Sequence, residues 1–246
     1  MLFTLKNIAF KFKFTPKGII HLGAHIGQEA EDYSFVKHVL WIEGNPDIMP
    51  ELEKNISKYP GQTAFQALVS DVDGEDVDFQ VTSNGQSSSM FALDKMKTLF
   101  PDVVVSEKLA LKTKRLDTLF KEKHLDPKQY DFLIIDVQGA ELKAIEGMGK
   151  ILESIEWLCV EVNLVKFYHG TPLMHAVDSY LAKKGFRRIE TNLKPRQWGD
   201  ALYHREKMTK CELRKTLLKD YLLEAKILFF FKLRFLRFLR KYLKRG

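Results

Sequence analysis

Two clusters in this sequence combine residue types that do chemistry. The first is a turn bounded by glycines, Gly23-Ala24-His25-Ile26-Gly27, with Glu43 following Gly23 by 20 positions. Glycine lets a backbone turn tightly and approach a ligand closely. An acid closing the next strand can accept hydrogen bonds from two ribose hydroxyls. Nicotinamide dinucleotides and S-adenosylmethionine both present such a ribose. The glycine spacing separates them. A dinucleotide site has G-x-G-x-x-G, with a helix N-terminus facing pyrophosphate. Here the pattern is G-x-x-x-G, and His25 stands at the middle position. S-adenosylmethionine has no pyrophosphate and needs room for its methionine part, so the turn favours that methyl donor. The competing reading is an ordinary βα turn with a surface acid.

The second cluster is acidic. Asp136-Val137-Gln138-Gly139-Ala140-Glu141 follows one apolar run, and Glu161-Val162-Asn163 ends the next. Charges at the tips of buried strands usually have a partner. Asp136, Glu141, Glu161 and Asn163 can therefore converge on one rim. Methyl transfer to a hydroxyl needs a proton removed and an oxygen aligned, so positioning and a modest base would supply much of the rate. Asp136 and Glu161 are candidate catalytic groups, and Asp136 also reaches the donor side. The same two carboxylates permit Mg²⁺ or Mn²⁺ without requiring it. A first-turn helix acid, favoured by the helix dipole, is the plainer role for Glu141. His169, between Tyr168 and Gly170, is a candidate general base. His21 lies inside a strand and is expected to be packed rather than catalytic. No pair of histidines has zinc-ligand spacing with a suitable third residue.

Strand–helix alternation must position these groups. Residues 18–23, 38–43, 63–69, 130–137 and 155–162 read as strands. The last two are nearly continuous apolar runs, as expected when both faces of a sheet are covered. Helices are expected at 28–37, from Pro46 to about Lys58, at 140–152 and at 173–184, where Gly185 stops the last one. Residues 186–190 and 201–205 suit a final hairpin. The pattern predicts an α/β fold, a mostly parallel sheet with helices on both faces, and ligands beyond the carboxyl ends of the strands. Residues 71–117 interrupt the alternation with an acidic turn, a strand at 77–82 and a polar stretch, a possible cap over the site. The alternation Ile8, Phe10, Phe12, Phe14 suggests a strand in the lead segment 1–17, with a short amphipathic helix as the alternative. The methyltransferase-like domain is expected over 18–206.

The chain has 246 residues and a hydrophobic share of 45%, ample for a core. Its two cysteines, Cys159 and Cys211, are far apart, which fits a reducing compartment without disulfides. No uninterrupted apolar signal segment opens the sequence, and no run reaches the roughly 18 apolar residues of a spanning helix. A cytoplasmic protein is expected. The formal charge of +7 is uneven, because residues 203–246 hold 14 Lys/Arg against 4 Asp/Glu. Residues 207–246 read as a helical tail. At about 100° per residue, Phe231, Phe235, Phe238, Leu239 and Tyr242 fall on one side and Arg234, Arg237, Lys241 and Arg245 on the other. A cationic, aromatic, amphipathic helix suits the plane of an anionic bilayer, at roughly 1 kcal/mol per basic residue. Packing on the domain or on a second subunit is the alternative, so an oligomer is possible. Nucleic acid is not expected, because no recognition motif accompanies the arginines.

Several segments together resemble the FkbM family of methyltransferases. They are Ile20-His21-Leu22-Gly23-Ala24-His25-Ile26-Gly27-Gln28-Glu29, Trp41-Ile42-Glu43-Gly44-Asn45-Pro46, Gln86-Ser87-Ser88-Ser89, Arg115-Leu116-Asp117-Thr118-Leu119, the run from Asp131 to Glu141, and Glu161-Val162-Asn163. The resemblance implies a Rossmann-like class I methyltransferase fold and O-methylation, commonly of sugars or polyketide-type hydroxyls. It implies donor contacts from Gly23, Gly27 and Glu43, with Asp136 and the Ser87–Ser89 stretch lining the site. Ala24, His25, Ser70 and Asp136 are further expected donor contacts. Acceptor contacts are expected from Gln86, Ser88, Gln138, Glu141 and Asn163. Four positions depart from the family pattern. Many members carry Asp where this chain has His21 and Asn where it has His25. Lys often stands at the place of Ile134, and Glu at the place of Gln138. A lipid-linked glycan acceptor would account for both the family and the tail. The alternatives are a nicotinamide-dependent oxidoreductase and a non-catalytic membrane-binding protein with a degenerate donor fold.

Overall fold

The computed structural model describes residues 3–195 and 197–206. In chain order the elements are α1 (Leu5–Phe12), β1 (Gly18–Leu22), β2 (His38–Glu43), α2 (Met49–Ile56), β3 (Gln62–Gln66), β4 (Leu68–Val69), β5 (Asp76–Thr82), α3 (Met96–Leu99), β6 (Val105–Lys114), α4 (Leu116–Glu122), β7 (Phe132–Ile135), α5 (Glu141–Glu146), β8 (Trp157–Asn163), α6 (Met174–Lys183), β9 (Phe186–Leu193) and β10 (Trp198–Arg205). The basic amphipathic helix expected over 207–246 lies outside the described residues. Among the described residues no helix is long and apolar enough to cross a membrane.

The main sheet has seven strands in the order β3-β2-β1-β7-β8-β10-β9. The first five run parallel. β10 is antiparallel to both β8 and β9, forming the hairpin expected from the sequence. Chain order runs one way from β1 through β2 to β3 and the other way through β7 to β8. β1 and β7 therefore flank the switch point of a Rossmann-like sheet.

Successive strand residues feed opposite faces. Ile20, Leu22, Leu133, Ile135, Leu158 and Val160 pack on one side with α4, α5 and α6. Ile19, Val39, Trp41, Phe132, Ile134 and Cys159 pack on the other with α1 and α2. That double coverage explains why β1, β7 and β8 are buried throughout.

Four local expectations change. The lead segment is a helix, not a strand. Thr4 caps it, Lys13 ends it in the left-handed region (φ 54°), and Leu5 and Ile8 are buried one turn apart. The alternating phenylalanines misled because Phe10 is 88% exposed while Phe14 stacks on Trp157. Second, residues 28–37 form consecutive turns rather than a helix. Distant side chains take carbonyls that a helix would need. Gln62 donates to Ala30 O and Asn55 to Ile26 O, while the Tyr33 ring is buried against Trp41. α1 covers part of the face left open. The expected third strand divides at Ala67, with β3 in the main sheet and β4 in a smaller one. The helix expected at 140–152 divides into α5 and a 3₁₀ segment, Gly149–Ser154.

The smaller sheet, β4-β6-β5, occupies the interruption seen in the sequence. β6 gave no strand signal there because its apolar residues are few. An isolated bridge Gln80–Ser89 folds the polar stretch back onto β5, and a second, Leu93–Tyr168, ties this region to the main domain.

The C-terminal layer is clasped by a buried ion pair. Arg188 Nε donates to Asp178 Oδ1 at 3.0 Å, with side chains only 5% and 4% exposed, and the Tyr203 hydroxyl donates to the same oxygen. Removing one partner of a buried pair leaves an uncompensated charge. Asp178→Ala should lower unfolding free energy by about 3–5 kcal/mol in urea titrations; a loss under about 1 kcal/mol would contradict the clasp.

Candidate active site

The site lies where β1 and β7 end. Gly23 N donates to Ile42 O and Asp136 N to Leu22 O, so the turns after both strands start in register. Gly23 has φ +82°, and a Cβ there would run into the Asp136 peptide. Only glycine satisfies both conditions. Two adjoining cavities open beside this contact. The larger is about 300 Å³ and the smaller about 60 Å³; both touch Gly23, His25, Gln86, Asp136 and Gln138.

The smaller cavity is bounded by Ile42, Glu43, Leu68, Phe79 and Val137. Glu43 is buried, and burial raises its pKa. Two backbone donors oppose that rise: Asn45 N binds Oε1 and His25 N binds Oε2, each at 2.8 Å. Each oxygen keeps a further lone pair for a ligand hydroxyl. His25 itself sits at φ 47°. Its Nδ1 is buried without a hydrogen-bond partner among the described residues.

The larger cavity has acids and amides at its base and aromatic rings around it. His21, Glu29, Asn84, Phe100, Phe167, Tyr168 and Trp198 join the shared residues. His21 Nδ1 lies 3.2 Å from the Tyr33 hydroxyl, and the ring stacks on Trp41. Burial lowers its pKa, against the pull of Glu29 and Asp136, which favours the neutral ring. Gln138 Nε2 lies 2.5 Å from Asp136 Oδ1 and 2.6 Å from Glu161 Oε2. Burial first, then Asp136, pushes the Glu161 carboxyl well above the usual range. Burial and the neighbouring carboxyl of Asp136 both favour the neutral form of this group. The Tyr168 hydroxyl donates to Gln138 Oε1 at 2.5 Å.

The fold brings together Gly23, Ala24, His25, Glu43, Gln86, Ser88, Asp136, Gln138 and Glu161 as cavity walls. Five expected residues stand elsewhere. Gly27 faces Leu52 and Ile56 of α2 and is not among the residues lining either cavity. Ser70 bonds to Asp71, and its carbonyl lies under Gly147, away from both cavities. Glu141 faces its own turn, where Oε1 accepts from Val137 N and Gly139 N. Asn163 is buried opposite Trp198 and outside the cavity lining. His169 is exposed, tethered only by its backbone to Ala92, whereas its neighbour Tyr168 turns inward. Sequence reasoning missed Tyr168, Trp198 and Glu29. Trp198 could have been suspected, since it opens the hairpin strand paired with Asn163. No group of three or more His, Cys, Asp or Glu among the described residues is arranged to hold a metal ion. Asp136 and Glu161 lie within hydrogen-bond reach of each other, and the Gln138 amide nitrogen contacts both.

A Rossmann-like sheet with an acid closing β2 and a glycine turn after β1 is the architecture of a class I methyltransferase. The chain belongs to the methyltransferase FkbM domain family, whose model matches residues 21–188. No curated protein matches the chain at a significant level. Loosely similar solved structures include an NADB-Rossmann superfamily protein from Streptococcus agalactiae, at 12% identity, 87% of this chain, 73% of that one and TM-score 0.47. Aeropyrum pernix fibrillarin with bound S-adenosyl-L-methionine matches at 13% identity, 80% and 74% coverage and TM-score 0.47. Magnesium protoporphyrin IX methyltransferase from Synechocystis PCC 6803 matches at 10%, 76% and 69%, with TM-score 0.41. The family assignment rests on the family match.

Glu141 gives a test of the turn. Burial raises its pKa from 4.5 to about 7, despite donors from Gly139 and Val137. Folded protein keeps this proton between those values while the unfolded chain releases it, so stability falls as pH rises through that window. The contribution is about 3 kcal/mol. Both backbone bonds use Oε1, so Glu141→Gln keeps them. Urea midpoints should fall less from about pH 5 to about pH 8 in this variant than in wild type. Equal slopes would remove Glu141 as the cause.

Proposed function

We propose that this protein transfers a methyl group from S-adenosylmethionine to a hydroxyl of a sugar or glycan. The observation that carries the reading is the Asp136–Glu161 carboxyl pair, in which Asp136 lines both cavities beside the Gly23 turn and Glu161 lines the larger. The residues present fit the donor. Glu43 retains acceptor capacity for ribose hydroxyls, Gly23 leaves its cradle free of a Cβ, and His25 Nδ1 is a buried polar atom awaiting a partner. Ile42, Leu68 and Phe79 offer apolar contact to an adenine ring.

When bound, the donor supplies a methyl on a positively charged sulfur that departs as a neutral thioether. The protein must then strip a proton from the incoming oxygen. Asp136 faces the larger cavity and takes that role, with the Glu161 carboxyl beside it. Tyr168 and Trp198 supply flat faces for the C–H surface of a sugar ring, while Asn84 and Gln86 meet its hydroxyls. A nicotinamide oxidoreductase would instead require a pyrophosphate-binding glycine turn, and His25 stands in that place. The basic tail 207–246 supports a location at an anionic membrane surface, where a lipid-linked glycan would be met.

Labelled donor should pass methyl to a member of a panel of sugars, nucleotide sugars and lipid-linked glycans; transfer only to RNA or amines would overturn the reading. Asp136→Asn should lower kcat by roughly 10²–10⁴ on the acceptor found. Glu43→Gln should weaken donor binding on the order of tenfold by calorimetry, about the worth of one charged hydrogen bond. Removing residues 226–246 should abolish binding to anionic liposomes, and unchanged binding would exclude the tail as the membrane contact.

A further inference from the structure

Gln138 joins the two acids of the site. Its Nε2 carries two hydrogens, and each has an acceptor: Asp136 Oδ1 at 2.5 Å and Glu161 Oε2 at 2.6 Å. The far end of the amide is fixed as well, because Oε1 accepts from the Tyr168 hydroxyl at 2.5 Å. With the oxygen engaged there, the nitrogen must face the acids.

The backbone holds the same orientation. Gln138 has φ +52°, a conformation that disfavours side chains by about 1–2 kcal/mol. Its carbonyl accepts from the Ser89 hydroxyl at 2.7 Å. Gly139 follows at φ +102°, where a Cβ would press on Thr171 and Tyr168. A strained residue persists only when its surroundings over-determine it, and strain of this kind marks functional positions.

Two carboxyl oxygens converging on one point are ordinarily a setting for a divalent cation, which Mg²⁺ would occupy at about 2.0–2.1 Å from each. Here a hydrogen-bond donor stands at that point. An amide NH₂ and a cation cannot share it.

We propose that Gln138 is a positioning residue that stands in for a metal ion, its amide holding Asp136 and Glu161 together as a cation-free acid–base pair. The proton leaves the acceptor hydroxyl for the Asp136 carboxyl, and the acceptor oxygen gains its bond to the methyl carbon as the carbon–sulfur bond breaks. The catalytic half of the proposal rests on the methyl-transfer reading; the cation half does not.

The test compares wild type with Gln138→Glu, which replaces the donor with a third carboxyl of nearly the same shape. Mn²⁺ alone is the probe, read by the electron paramagnetic resonance signal of the free ion in protein without donor or acceptor. Wild type should leave the signal unchanged, and Gln138→Glu should reduce it with about one ion bound per chain. Wild-type methyl transfer should be the same with and without EDTA. Tyr168→Phe should lower kcat on the order of tenfold, the worth of one hydrogen bond, with KM for both substrates held and Mn²⁺ still unbound. Mn²⁺ binding by wild type, or wild-type activity lost in EDTA, overturns the proposal. So does a folded Gln138→Glu variant that ignores Mn²⁺. If that variant fails to fold, the wild-type arms decide. If no acceptor is methylated, the functional reading fails and the Mn²⁺ arms still judge the amide bridge.

Discussion

Everything at this site depends on the contact between Gly23 and the Asp136 peptide. β1 and β7 are hydrogen-bonded neighbours, yet the chain leaves them in opposite directions. That divergence opens a crevice in an otherwise closed sheet. The two turns must still pass each other at backbone distance, which only a residue without a Cβ permits. Once they do, the Gly23 turn delivers His25 N to Glu43, and the Asp136 turn delivers Gln138 to Glu161. Both cavities are formed by side chains whose places follow from this one approach.

Burying acids is costly, and the fold meets that cost differently at each one. Glu43 receives backbone N–H groups from His25 and Asn45. Glu141 receives them from Val137 and Gly139, which closes the turn between β7 and α5. Glu161 receives an amide from Gln138, and burial favours its neutral form. Donors from the chain itself thus replace water around three carboxyl groups. The cavity walls stay fixed because each acid binds the segment beside it.

The strands were legible because burial on both faces leaves an apolar run that ends sharply. β2 was read from 38 to 43, the span it has in the structure. The rim acids Asp136 and Glu161 were legible for the same reason, since a charge after such a run marks the strand tip. Other features depend on partners far away in sequence. Gln62 and Asn55 unmake the helix at 28–37, and nothing within that segment announces it. The chemistry of a loop is equally hidden. His169 has the better side chain for a base, but the backbone tie to Ala92 and the turn around it send Tyr168 inward instead. The amide at 138 looked like a mere departure from a pattern, and only its three hydrogen bonds give it meaning.

The placement of α1 bears on the order in which the chain can become itself. Phe3 N bonds to Asp200, 197 residues later, and Lys11 to Glu190, 179 residues later. Phe12 and Phe14 meet Trp157. The segment around α1 therefore completes its contacts only when residues near 157, 190 and 200 are in place, with Asp32 as its nearby anchor. Until the β9–β10 hairpin is in place, the α1 segment lacks its bonds to Asp200 and Glu190. Long-range closure of that kind slows folding and exposes intermediates. Folding of the described domain thus waits on contacts that join α1 to strands distant from it in sequence.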